Sequence, residues 1–209
     1  MLTDLEPHSY DTLFSYTSGR FLFNEKCPLQ ERHVPFHVKA LFKAAEHSLS
    51  KEHGKIVGIS KLGEGGFNRV FNLVSEYVFE SIAKILYHSA VPKYFATASE
   101  AATLTYLRKK GIPVPKVYSY CANAENPVGA EYILMEKAQG TSLQDTWHTL
   151  KDKEIAKLVY SYVQMEQKLF KLPFSATGKL ICTSKGMSAP SFKHLCPRTQ
   201  RSAKRESIA

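Results

Sequence analysis

A chain of 209 residues, 44% hydrophobic and 22% charged, has the composition of an ordinary globular protein with enough apolar material for one large domain or two small ones. No apolar run approaches the roughly 18–20 residues of a membrane span, so no membrane partner is expected. The net charge of +9 is uneven: residues 179–209 carry seven Lys/Arg against Glu206 alone, a net +6, which is a basic tail and not the basic folded face that nucleic-acid binding needs.

The N-terminus carries Asp4, Glu6 and Asp11 and reads neither as a secretory signal nor as a transit peptide, so the cytoplasm is the expected compartment. Residues 1–28 are mixed, with Tyr10, Phe14, Tyr16, Phe21 and Phe23 at no clear period, and Asn24 to Pro35 is polar. From Val38 the apolar positions Val38, Leu41, Phe42, Ala45 and Leu49 fall on one face of a helix that Gly54 is placed to end. Lys55–Leu62, Arg69–Ser75 and Tyr77–Leu86 then read as three strands of an antiparallel meander.

Thr97 to Lys110 is rich in helix formers, has Glu100 early and basic residues late, and stops at Gly111. Ile112-Pro113-Val114-Pro115 is extended, because proline and the residue before it disfavour helix. Lys116–Cys121 and Glu131–Glu136 read as two further strands around a turn-rich stretch, and Gly140 interrupts the pattern. Ile155, Leu158, Val159, Tyr162 and Leu169 make an amphipathic helix of Asp152–Leu172, with Pro173 beyond it. From Lys179 onward no periodicity remains, and disorder is expected.

Cys27, Cys121, Cys182 and Cys196 lack any C-x-x-C pair and read as reduced thiols; neither they nor the scattered histidines have metal-ligand spacing. The chemistry concentrates between Lys61 and Lys84. Gly63, Gly65 and Gly66 sit between two strands, where backbone amides can approach a phosphate with no Cβ in the way. Lys84, inside the apolar run Ile82–Leu86, can add a point charge to the same phosphates. Taken singly, the glycines are a hairpin turn, Lys84 a snorkelling lysine and Glu100 a first-turn acid. Their order and spacing together favour the phosphate reading.

Five strands with a helix between the third and fourth and a connector after the fifth resemble a protein-kinase-like small lobe. Gly63-Glu64-Gly65-Gly66-Phe67-Asn68-Arg69-Val70 resembles the kinase glycine loop with Asn68 in place of the third glycine, and Ile82-Ala83-Lys84 resembles the lysine strand. The Asn68 departure, with EGGFNRVF, GIPVPKVYSY, NPVGAEYILMEKAQG and FSYTSGRFLFNEK, resembles the aminoglycoside phosphotransferase family, in the fungal branch similar to the altered-inheritance-of-mitochondria protein 9 group. That resemblance covers about residues 14–178.

The resemblance implies an α+β fold: a five-stranded antiparallel small lobe plus one helix, preceded by an N-terminal helical extension and followed by only the first part of a large lobe. The expected divisions are 1–54 (extension), 55–140 (small lobe and hinge), 141–178 (start of the large lobe) and 179–209 (tail). ATP is the implied cofactor, held by Gly63, Gly65, Gly66, Asn68 and Lys84, with Glu100 pairing Lys84 and the Glu136-Lys137-Ala138 hinge bonding the adenine. Arg69 is implied on or just after the phosphate-covering loop, with Met135, Ile82 and Ala83 lining the adenine pocket. The implied acceptor is a small molecule with a hydroxyl group, and a mitochondrial location is the alternative to the cytoplasm.

Phosphoryl transfer in such folds also needs an aspartate to orient the acceptor and an Asp and Asn to hold magnesium. The aspartates here are Asp4, Asp11, Asp145 and Asp152, and His194 is followed by Leu195 and Cys196, so no catalytic loop is read. The expectation is therefore a chain with no catalytic or metal-binding residues, residual ATP binding and no turnover, departing from the family near Thr177–Lys179. Translation past a missed splice site or a frameshift is the preferred reading of that departure, and a natural short form used as a binding module is the alternative. The helix at 152–172, left with an uncovered apolar stripe, is expected to favour self-association.

Overall fold

A computed structural model describes residues 11–90, 92–173, 180–183 and 186–188. The short helices α1 (Asp11–Phe14) and α2 (Lys26–Arg32) are followed by α3 (Val38–Ser48) and a 3-10 turn at Lys51–His53. Then come β1 (Ile56–Glu64), β2 (Asn68–Ser75), β3 (Glu80–Leu86), α4 (Phe95–Lys109), β4 (Val117–Cys121) and β5 (Tyr132–Glu136). Beyond the sheet are α5 (Leu143–Thr146), a 3-10 turn at Trp147–Thr149 and α6 (Asp152–Phe170).

The five strands form one antiparallel sheet in the order β1-β2-β3-β5-β4, an α+β arrangement with the strand-and-helix order of a kinase-like small lobe. Side chains alternate across a sheet, so each face has its own job. On one face Phe71, Leu73, Ala83, Ile85 and Leu134 are buried under Val38, Leu41, Ala45 and Leu49 of α3 and under Phe36 of the preceding segment. Phe36 meets Phe14 and Phe71 edge-on, with ring centroids 5.1 and 5.2 Å apart. On the other face Ile82, Ile133 and Met135 pack with Ala101 and Leu104 of α4.

The helices are anchored by polar groups at their ends. Glu131 accepts from Thr97 Oγ1 (2.6 Å) and from the Tyr94 amide (3.2 Å), fixing the start of α4 beside β5 and holding Tyr94 at φ 64°. At α6, the Glu154 carboxylate accepts from the Lys151 amide at 2.8 Å. Gly54 ends the 3-10 turn at φ +72°, where an added Cβ would stand 3.0 Å from Glu76 Oε2 and from the Tyr77 ring. Gly54→Ala is therefore expected to cost ~1–2 kcal/mol, read as a lower urea midpoint at unchanged slope.

Two differences from the sequence reading have local causes. The polar stretch after Asn24 holds α2, which buries none of its residues and so shows no apolar period. Beyond Lys179, Ile181–Thr183 pairs antiparallel with Gly186–Ser188, and the first of these strands lies beside α4. A three-residue strand is too short to leave a periodic signal. The other residues assigned to the tail lie outside the described residues. No residue of α6 is buried, and Val159, Tyr160, Tyr162, Val163 and Phe170 are exposed.

Candidate functional site

Strand register brings the glycine turn and Lys84 onto one face. Gly63 pairs with Val70, Val70 with Lys84, and Lys84 with Ile133, a single row across β1, β2, β3 and β5. Two strand spacings, about 10 Å, separate Gly63 from Lys84. Lys84 Nζ donates to Glu100 Oε1 at 2.5 Å, with side-chain exposures of 17% and 34%, so the lysine is steadied by α4 yet still reaches solvent. A partly exposed pair of this kind contributes only ~0–1 kcal/mol to stability.

The turn residues Gly65, Gly66 and Phe67 join β1 to β2, and the Gly65 amide donates to the Asn68 carbonyl at 2.8 Å. A Cβ built at Gly63 or Gly66 meets nothing within 4 Å, and neither residue has a positive φ. Packing within the described residues thus gives no reason for glycine at either position. The open space beside this backbone is what close approach of a phosphate requires. Asn68 lies at the start of β2 with its side chain 3.6 Å from where a Gly65 Cβ would be.

At the far end of β5, the Glu136 amide donates to the Lys116 carbonyl. The Glu136 carboxylate accepts from Arg108 Nη1 (2.8 Å) and the Lys116 amide (2.9 Å). That carboxylate is occupied in holding β5 to the entry of β4, so contacts from this segment to a ligand fall to its backbone. Lys137 Nζ bonds Glu80 Oε1 at 2.7 Å, tying the segment after β5 back to β3. Ala138 is exposed, and Gly140 beyond it adopts φ +124°.

Ile82 and Met135 share Lys84's face as cross-strand partners but are 7% and 9% exposed, largely covered by α4. Ala83 does not line that face. Alternation turns it to the opposite side, where it is fully buried among Phe71, Leu134 and α3, so its expected place in an adenine pocket is corrected.

The sequence reading also missed what Arg69 does. It follows the glycine turn, but its side chain points to the face away from Lys84 and is 2% exposed. Nε donates to Glu64 Oε1 (2.7 Å), Nη1 to the Leu13 carbonyl (2.9 Å) and Nη2 to the Arg32 carbonyl (3.2 Å). The alternation of β2 was the available signal: Arg69 has the parity of Phe71 and Leu73, while Val70 has that of Lys84's face.

The Glu64 side chain, at the end of β1, is 1% exposed and accepts from Thr17, Ser18, Lys61 and Arg69. Burial pushes its carboxyl up, but the bonds from the Thr17 amide, the Ser18 hydroxyl, Arg69 and Lys61 outweigh that and hold it at about 2, against 4.5 for an ordinary glutamate. A carboxyl depressed in the fold adds stability that is complete above pH 4.5 and is lost as pH falls toward 2. Wild-type protein should lose ~3 kcal/mol more than Glu64→Gln between those limits, measured by urea denaturation.

Among the described residues no group of three or more His, Cys, Asp or Glu is placed to hold a metal ion, and no helix is long and apolar enough to cross a membrane.

No family model matches this chain. It is similar to a subtelomeric hrmA-associated cluster protein of Aspergillus fumigatus, 45% identical over 126 residues that make up 60% of this chain and 25% of that protein. It is also similar to altered inheritance of mitochondria protein 9, mitochondrial, of Candida tropicalis, 27% identical over 215 residues, 86% of this chain and 35% of that protein. The resemblance to that group, read from separated motifs, therefore holds along most of the chain. The chain spans about a quarter to a third of the length of these relatives. Among solved structures it is similar to a Ralstonia eutropha protein provisionally assigned as an aminoglycoside phosphotransferase, with 20% identity and a TM-score of 0.40 over 51% of this chain and 29% of that one.

Proposed function

We propose that this chain is the nucleotide-holding lobe of a phosphotransferase-type protein and binds ATP weakly on the Lys84 face of its sheet. One observation carries the reading: Lys84, paired to Glu100, stands in the same cross-strand row as Gly63 beside the glycine turn, and the missing Cβ atoms of Gly63 and Gly66 leave open space there. The turn supplies backbone donors to the phosphates and Lys84 supplies their counter-charge. The segment Lys137–Gly140 begins four residues beyond Ile133, Lys84's partner on β5, on the order of 13 Å along the strand. That is the scale of an extended nucleotide, so backbone groups there are suited to the base.

Transfer to a hydroxyl acceptor further requires a proton acceptor and carboxylates for magnesium. Asp11, Asp145 and Asp152 lie on α1, α5 and α6, outside the row that joins the turn to Lys84. We infer that these 209 residues bind nucleotide without turning it over, and that the acceptor is a small molecule recognised elsewhere in a longer relative. The Candida tropicalis relative is named as mitochondrial, and we extend that compartment to this chain. Calorimetric titration with Mg-ATP, paired with a phosphate-release assay, tests the reading. Saturable binding without release is expected, and release that disappears in Lys84→Ala would overturn the inference of inactivity.

A second reading has its own observation. The exposed apolar residues of α6, from Val159 to Phe170, suit an interaction fragment that keeps nucleotide contacts and uses this helix to associate.

A further inference from the structure

Glycine gives a loop conformational freedom unless something holds it, and here residues 13–32 lie against the glycine-turn end of the face opposite Lys84, beside the part that α3 covers. The Arg69 guanidinium bonds the carbonyls of both Leu13 and Arg32, so one buried cation closes the two ends of this segment. Between those ends, Glu64 accepts from the Thr17 amide (2.8 Å) and from the Ser18 hydroxyl (2.8 Å). Lys61 Nζ donates to the Ser15 carbonyl (3.1 Å) and Thr17 Oγ1 (2.7 Å). The far end reaches the turn itself: the Arg32 guanidinium lies over the Tyr16, Phe21 and Tyr87 rings, and its Nη2 donates to the Gly66 carbonyl at 3.4 Å.

Glu64 ends β1 just before the turn, and Arg69, the second residue of β2, is its register partner. The hydrogen bonds their side chains make outside the hairpin go to residues 13–32, and the Arg69 guanidinium also lies over the Tyr87 ring, 5.3 Å from its centroid. Their side chains therefore fix the turn from behind and leave the open space at Gly63 and Gly66 free.

We propose that residues 13–32 are a strap that sets the conformation of the glycine turn, with Glu64 and Arg69 as positioning residues, and that loosening the strap weakens nucleotide affinity. The affinity clause rests on the nucleotide-site reading above; the mechanical coupling does not.

Ser18→Ala in the full chain tests this, because Ser18 is exposed and its hydroxyl can be removed without leaving a buried charge unpaired. Amide exchange is followed at Gly65 and Tyr87, which donate to Asn68 and to Phe67 of the turn, and at Ile82 and Ile85 of the core strand. The expected result is exchange at least ~10-fold faster at Gly65 and Tyr87 with Ile82 and Ile85 unchanged. Mg-ATP should bind ~5–10-fold more weakly, and Ser18→Thr, which keeps the hydroxyl, should restore both. Unchanged Gly65 and Tyr87 amides would overturn the strap, and so would an equal acceleration of all four, which marks a merely structural residue. Faster turn exchange with unaltered nucleotide affinity would overturn the affinity clause. If the wild-type chain binds no Mg-ATP, the site reading is what fails, and the amides still uphold or overturn the strap.

Discussion

Arg69→Met should lower the stability of this fold by ~3–5 kcal/mol, the penalty for removing one partner of a buried ion pair. For a chain of this size that is a fall of roughly 10 °C in melting temperature. The magnitude follows from what is left behind. Glu64 remains 1% exposed with Lys61 as its single charged partner, and the Leu13 and Arg32 carbonyls lose their donor. Methionine fills a similar volume, so little of the loss is cavity. The double variant Glu64→Gln/Arg69→Met should recover ~1–2 kcal/mol relative to Arg69→Met, because the stranded charge is gone. A double variant no more stable than Arg69→Met would mean that packing, not the ion pair, dominates at this position.

Lys84→Ala should behave in the opposite way, with a large effect on binding and a small one on stability. Its partner Glu100 is a third exposed and can be rehydrated, so the melting temperature should move by no more than about 2–4 °C. Mg-ATP affinity should fall by at least ~10-fold, since the variant removes the one cation standing in the row that joins the turn to β5. Glu100→Gln tests the lesser role of steadying that cation and should cost affinity by a smaller factor. Equal losses of stability in Lys84→Ala and Arg69→Met would show that Lys84 is a structural residue.

The sheet was legible because its strands carry their own signals. Apolar runs, β-branched residues and intervening turns mark β1, β2, β3 and β5 to within a few residues, and α3 shows a clean helical face. The contact of Lys84 with Glu100 was also within reach, since a strand lysine and a residue early in the next helix face each other across one connection. The remainder depends on contacts between distant residues. Arg69 follows a glycine turn, and resemblance places it on or just after a phosphate-covering loop. Its parity with Phe71 and Leu73 on β2 turns it to the other face, but its partners there, Leu13 and Arg32, are distant in the chain and leave no local signal. Helix α2 has no apolar face to detect because its stabilising contact is the Arg32 guanidinium over aromatic rings. Ala83 was misplaced by reading the lysine strand as a block when its neighbours alternate between faces.

Nuclear magnetic resonance mapping of Mg-ATP on the wild-type chain tests the central claim most directly. Binding at the proposed cradle predicts saturable amide shifts at Gly63–Asn68 and at Lys137–Gly140, on the two sides of Lys84, lost together in Lys84→Ala. Absence of saturable shifts at both segments in the folded protein, or shifts confined to other parts of the chain, would contradict it.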